Sequence, residues 1–139
     1  MLETSAFLDL MVGTAEGQIV GDAVRGKAVH ISDHCAVAVA QALMLIADRG
    51  MISRSQLRRR IRLLAAAPFT PHSAATLLEA AWARTSLRLG DALCVELSQT
   101  LRAPLLTTDS RLATVWPDCW LIATPGELAP APASERRTS

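Results

Sequence analysis

Helical spacing dominates the pattern of apolar and polar positions along the chain. Apolar residues recur at intervals of three and four from Ser5 to Val12, where Gly13 stops the run, and less regularly from Glu16 to Arg25, ended by Gly26. A longer run starts at Ser32 or Asp33, either of which can cap it, and continues to Asp48, with Arg49-Gly50 closing it. Further helices are predicted from Ser53 to about Ala67, from Ser73 to Arg84 and from Asp91 to Leu101, the last with Asp91 as cap or first-turn residue; Pro68 and Pro71 bracket a break. Ala28–Ile31, Leu105–Thr107 and Trp120–Ala123 are short and apolar or β-branched, and read as strands. Glu3 would end a very short strand at the N-terminus. Short strands alternating with helices predict an α/β fold, a small parallel β-sheet flanked by helices on both faces in three layers. From Pro125 the string "PGELAPAPASERRTS" is rich in Pro, Ala and Ser, which predicts one domain over residues 1–124 and a disordered tail over 125–139.

Composition narrows the function classes. The 139 residues are one domain's worth, long enough to bury a core, and the abundance of alanine and leucine favours helix. A net charge of +1 excludes strong polyelectrolyte behaviour of the whole molecule, so attraction to nucleic acid needs a local patch. The most apolar stretch, Cys35 to Ala47, is 13 residues long and interrupted by Gln41, against the roughly 20 that span a bilayer. The N-terminus lacks a basic segment followed by an apolar one, so a soluble cytoplasmic protein that does not enter the membrane is expected. The cysteines Cys35, Cys94 and Cys119 are far apart and never form a CxxC pair; two lie in apolar runs and read as buried hydrophobes in a reducing compartment.

Two aspartates then stand out. In "LRLGDALCVELSQTLRAPLLTTDSRLA", Asp91 heads a helical run and Asp109 ends a strand. In an open parallel sheet ligands gather at the carboxyl ends of the strands. Glu3 and Asp109 would both end strands there, and Asp91 would point its first turn at the same edge. Three converging carboxylates repel unless a cation neutralises them. Hard oxygen ligands suit Mg2+ or Mn2+, and such an ion over an open edge can activate water against a phosphodiester. Singly, each acid is explained as a helix cap or turn former; the combination points to a metal site.

The strings "ETSAFLDLMVG" and, after a long helix, "GDALCVELSQTLRAPLLTTDSRLA" resemble PIN domains, most closely the VapC-type toxin ribonucleases, over roughly residues 1 to 124. The resemblance implies a metal-dependent endoribonuclease, the toxin of a type II toxin–antitoxin system, that hydrolyses RNA phosphodiester bonds with Mg2+ or Mn2+, pairs with a cognate antitoxin protein and forms a homodimer. It assigns Glu3, Asp91 and Asp109 as catalytic metal ligands, with Ser5 and Thr107 in support. The chain departs from the family pattern at three places. Glu3 stands where the family has aspartate, its extra methylene moving the oxygens by about 1.5 Å. Ala38 stands where the long helix usually carries a glutamate, and Arg88 where a small hydroxyl residue is frequent. These departures predict weaker metal binding with a preference for Mn2+, or else a catalytically weak protein that retains antitoxin or RNA binding.

On the helix of Ala38, His34 and Gln41 share its face. Gln41 reads as a polar residue near the pocket and His34 as a first-turn surface residue. A His34/Cys35 zinc site lacks a second partner at ligand spacing. In "SRSQLRRRIRLL", Arg54, Arg58 and Arg62 form one stripe flanked by Arg59 and Arg60, opposite Leu57, Ile61 and Leu64. Five arginines without one acid make this face a candidate for RNA phosphates or an acidic antitoxin segment as well as for plain solvation. Trp82, Trp116 and Trp120 are expected to pack in the core.

Overall fold

The N-terminal residues join the sheet together. In the computed structural model, which describes residues 1–124, the Leu2 amide donates to the His30 carbonyl (3.0 Å), the Glu3 amide to Leu106 (3.0 Å) and the Leu106 amide to Met1 (2.9 Å). On one side lie β1 (His30–Ser32) and its parallel partner β2 (Thr70–His72); on the other lie β3 (Leu106–Thr107) and its parallel partner β4 (Trp120–Leu121). Met1–Glu3 thus bridges two parallel pairs into one small sheet, with Glu3 at its carboxyl edge. The tail predicted from Pro125 lies outside the described residues.

Helices α1 (Thr4–Val12), α2 (Ala15–Val24), α3 (Asp33–Asp48), α4 (Arg54–Ala65), α5 (Leu78–Trp82), α6 (Leu89–Leu101) and α7 (Ser110–Val115) surround that sheet. Gly13, at φ 83°, closes α1 in the left-handed conformation that glycine adopts without steric cost. A Cβ on Gly17 would collide with the Asp9 carbonyl, so glycine there lets α1 and α2 pack in close contact. Ser53 and Gln56 form a reciprocal capping box at the start of α4. The core gathers Leu2, Phe7, Val20, Ile31, Cys35, Val39, Leu43, Cys94, Val95, Leu97, Leu105 and Leu112, all buried. Phe7 is fully buried against Phe69, ring centroids 5.1 Å apart. Phe7→Ala is expected to cost about 3–5 kcal/mol of stability in a urea melt, with m unchanged.

Several elements differ from expectation. The break between Pro68 and Pro71 holds β2, an edge strand where the missing N–H of Pro71 is tolerated. The helix expected from Ser73 to Arg84 is a 3-10 turn (Ala74–Leu77) followed by the short α5, and the Asp33 side chain accepts from the Ala74 amide at its start (2.9 Å). The short α7 has no counterpart in the sequence reading. Arg60, which flanks the arginine stripe, turns to α1: its Nε and Nη2 donate to the Met11 and Val12 carbonyls (3.2 and 3.1 Å) at the C-terminus of that helix, a favourable place for a cation. The expectation of three core tryptophans fails for two. Trp82 is 79% and Trp120 56% exposed, and only Trp116 is half-buried, beneath the Arg84 guanidinium at 5.0 Å. Trp82 closes a five-residue helix and Trp120 stands on an edge strand, where few neighbours can cover a large ring.

Candidate active site

Glu3 is the N-cap of α1, with φ −84° and ψ 161°, and only 4% exposed. Its Oε2 accepts from the Ser5 amide (2.9 Å), the Ser5 hydroxyl and the Thr107 hydroxyl (2.8 Å). Burial pushes its carboxyl above the ordinary range; the Ser5 and Thr107 hydrogen bonds oppose this, and the charge of Asp91 adds to it. Ser5 and Thr107 also fix the far side of the site. The Ser5 hydroxyl accepts from the Thr108 amide (3.1 Å) and the Thr107 hydroxyl from the Asp109 amide (3.0 Å), so one network ties the start of α1 to the end of β3.

Thr107 is fully buried and serves two partners at once. Thr107→Val keeps its shape but strands the Asp109 amide and removes a donor from Glu3. The expected cost is about 1–3 kcal/mol, read as a lower urea midpoint; a change within about 0.5 kcal/mol would mean that the network is idle.

Asp91 is not a cap. Helix α6 begins at Leu89 with Arg88 as N-cap, which places Asp91 in the first turn with its side chain 18% exposed. Burial raises its pKa, Arg111 lowers it and Asp109 raises it again. Asp109 does cap a helix: its Oδ1 accepts from the Arg111 amide (2.8 Å) and the Leu112 amide (3.4 Å) at the start of α7. Burial works against its charge, but the Arg111 side chain and these two amides outweigh it and hold the carboxyl below its usual range.

Between the two aspartates stands Arg111, with Nη2 2.7 Å from Asp109 Oδ2 and 4.0 Å from Asp91 Oδ2. Sequence reasoning missed this counter-ion; its spacing of two from Asp109 was the available signal. Asp9 was missed as well. It accepts from the Thr108 hydroxyl (2.6 Å) and the Thr14 hydroxyl (2.9 Å), pinning the loop that carries Asp109. Ala38 lies half-buried on α3 and offers no donor, while Gln41 faces solvent rather than the pocket. His34 is not a plain surface residue: it is half-buried, its Nδ1 2.8 Å from the Ser32 hydroxyl. Nor does it lack partners, since Cys94 joins it and Cys35. Among the described residues these three form the one group of three His, Cys, Asp or Glu whose ligand atoms all lie within 4.8 Å of one another.

The cleft beside Asp91, lined by Arg88, Arg111 and Leu112, has a volume of about 120 Å3. Arg54, Arg58 and Arg62 lie apart from it, lining an open groove of about 510 Å3 with Leu63. Asp91 acts electrostatically on Glu3 and Asp109 on Asp91, at the carboxyl edge of a parallel sheet, but the ligand atoms of the three acids do not all come within 4.8 Å of one another. Such a set fits a hydrated divalent cation, which keeps several waters and takes one or two carboxylates. The family model for the PIN domain matches residues 1–115. The chain belongs to the PIN-domain family.

Two relatives agree with that placement within the family. Proteins named Ribonuclease VapC3, from Mycobacterium tuberculosis strains CDC 1551 / Oshkosh and ATCC 25618 / H37Rv, are each 35% identical over 127 residues, covering 88% of this chain and 90% of the relative. The chain is therefore a PIN-domain protein of the VapC type. Among the described residues no helix is long and apolar enough to cross a membrane.

Proposed function

We propose that this protein is a metal-dependent endoribonuclease, the toxin of a toxin–antitoxin pair, that hydrolyses RNA phosphodiester bonds at Glu3, Asp91 and Asp109. The observation that carries this reading is the hydroxyl network: Ser5 and Thr107 spend buried hydrogen bonds on aiming Glu3 and the Asp109 backbone at one edge. A structural cap needs no such second layer of support. The names of the two relatives point the same way.

In this reading Glu3, Asp91 and Asp109 hold Mg2+ or Mn2+, which when bound neutralises the scissile phosphodiester and acidifies water. Glu3 enters the site preoriented, one oxygen held by three donors and the other left for the cation. Arg111 balances Asp91 and Asp109 and, were a cation held by them, would be free to meet a phosphate oxygen. The missing carboxylate at Ala38 weakens the site and favours Mn2+, which is less strict in geometry. Calorimetry is expected to give tighter binding of Mn2+ than of Mg2+; micromolar Mg2+ with Mn2+ no better would contradict this.

Arg54, Arg58 and Arg62 serve a cognate antitoxin or RNA. Their groove mixes guanidinium groups with exposed Leu63, and its neighbour adds Met44, Leu57 and Ile61; that combination suits an acidic amphipathic segment. Exposed Val37, Met44, Leu45 and Trp82 leave apolar area for a partner or for the second copy of a homodimer.

A second reading is favoured by Arg111 standing between two of the acids and by Ala38 offering no donor. In it the protein keeps the fold and the partner surface but cleaves weakly or not at all. Purified protein with RNA and Mg2+ or Mn2+, with and without chelator, decides between them: metal-dependent fragments support the nuclease, and intact RNA under both conditions supports the second reading.

A further inference from the structure

Beside the carboxylates lies a cluster of different chemistry. Cys35, in the first turn of α3, and Cys94, in the second turn of α6, are both fully buried, their sulfurs 3.5 Å apart. His34 places Nε2 3.8 Å from the Cys35 Sγ. For tetrahedral zinc, Zn–S of about 2.3 Å and Zn–N of about 2.0–2.1 Å imply S···S edges of about 3.8 Å and S···N edges of about 3.5 Å. The S···S and Cys35 S···N separations lie within about 0.3 Å of those values, and the three ligand atoms all fall within 4.8 Å of one another.

The surroundings are built for the same end. Ser32 is buried and is the N-cap of α3, yet it makes no capping hydrogen bond; its hydroxyl lies 2.8 Å from His34 Nδ1. That contact orients the ring and leaves Nε2 as the ligating nitrogen, the arrangement found behind metal-bound histidines. The histidine ring lies against Gly90 of α6, where a Cβ would come within 3.3 Å of Nε2. The Cys94 thiol beside it holds the Cys35 thiol down at about 5 against burial, with His34 and Thr4 contributing, while Cys94 itself is pushed up. A dication meeting two thiolates and a neutral imidazole leaves the three-ligand centre uncharged. Asp91 precedes Cys94 by one turn on α6 and stands outside the group of three, near enough for the His34 charge to act on it.

We propose that His34, Cys35 and Cys94 form a three-ligand Zn2+ site with an open fourth position, and that its occupancy suppresses the Mg2+- or Mn2+-dependent reaction by drawing the neighbouring Asp91 away from it. Zinc binding to two thiolates and a neutral imidazole releases to solvent the protons those three side chains carry, and no redox change is involved. The inhibitory half rests on the nuclease reading above; the binding half does not.

The test uses the full chain, its thiols kept reduced by a phosphine, titrated with Co2+ as a spectroscopic stand-in. Wild type and Cys119→Ser are expected to give a thiolate-to-cobalt charge-transfer band with tetrahedral d–d bands, saturating at one ion per chain. Both features should vanish in Cys35→Ala and Cys94→Ala and weaken in His34→Ala. Circular dichroism and melting curves identify any variant that is unfolded; His34→Ala, a half-exposed position, keeps the comparison valid if a cysteine variant fails to fold. No band in the wild type, or a band unchanged in folded Cys94→Ala or His34→Ala, overturns the site. In the RNA assay, one equivalent of Zn2+ should abolish cleavage by the wild type and spare Cys94→Ala. Inhibition equal in both overturns the coupling. Absence of cleavage before any zinc is added overturns the nuclease reading, with the cobalt spectrum still deciding the site.

Discussion

Asp91→Ala is expected to lower RNA cleavage by on the order of 10²-fold or more while leaving the fold intact. The helix does not depend on the lost side chain. Asp91 makes no capping bond, and α6 begins two residues before it. Its charge near a helix N-terminus is favourable by about 0.3–1 kcal/mol, but burial and the neighbouring Asp109 together outweigh Arg111 and hold its carboxyl above the ordinary range. A carboxyl shifted upward in the fold contributes stability below its unfolded pKa and loses it as pH rises through the folded one. At neutral pH the ionised group is therefore a net cost to the fold, and its removal should leave the melting temperature equal or higher. Loss of cleavage without loss of stability marks a functional carboxylate. Wild-type cleavage by the alanine variant would place the chemistry elsewhere.

Ala38→Glu is expected to act in the opposite direction. Ala38 lies one turn beyond His34 on the half-buried face of α3, at the position where the family pattern carries its helical glutamate. Restoring a carboxylate should raise Mn2+ affinity by about tenfold or more, since even indirect supporting groups are worth 10–100-fold. Cleavage should rise with it. Adding Glu3→Asp should give a combined effect that departs from the sum of the two, because both side chains act on one ion. If neither affinity nor cleavage changes, the gapless register placing Ala38 at that position is wrong.

These two positions show what local sequence can and cannot reveal. Helix limits at Gly13 and Gly50, the strand before Asp109 and the capping serine at Ser53 follow from near-neighbour chemistry, and all were legible. The acids at the strand ends were legible for the same reason. Their individual roles were not: Asp109 both caps α7 and faces the site, whereas Asp91 caps nothing, a distinction set by where α6 begins. The strand inside the Pro68–Pro71 break depends on pairing with the distant β1. Likewise, Cys94 reaches Cys35 across 59 residues of chain, so ligand spacing gave no hint of the His34–Cys35–Cys94 cluster. Arg111 was close to Asp109 in sequence, but its approach to Asp91 appears only when the fold brings the starts of α6 and α7 together.

The central claim is that Glu3, Asp91 and Asp109 form one cation site, and thermal melting with Mn2+ tests it most directly. A ligand that binds only the folded protein stabilises it by about 2.7 kcal/mol at a hundred times its Kd, a shift of several degrees for a domain of this size. Asp91→Asn is the right comparison, because it preserves shape and removes only the charge. Mn2+ should raise the wild-type Tm by several degrees and leave that of Asp91→Asn unchanged; an equal shift in both proteins, or none in either, would contradict the account.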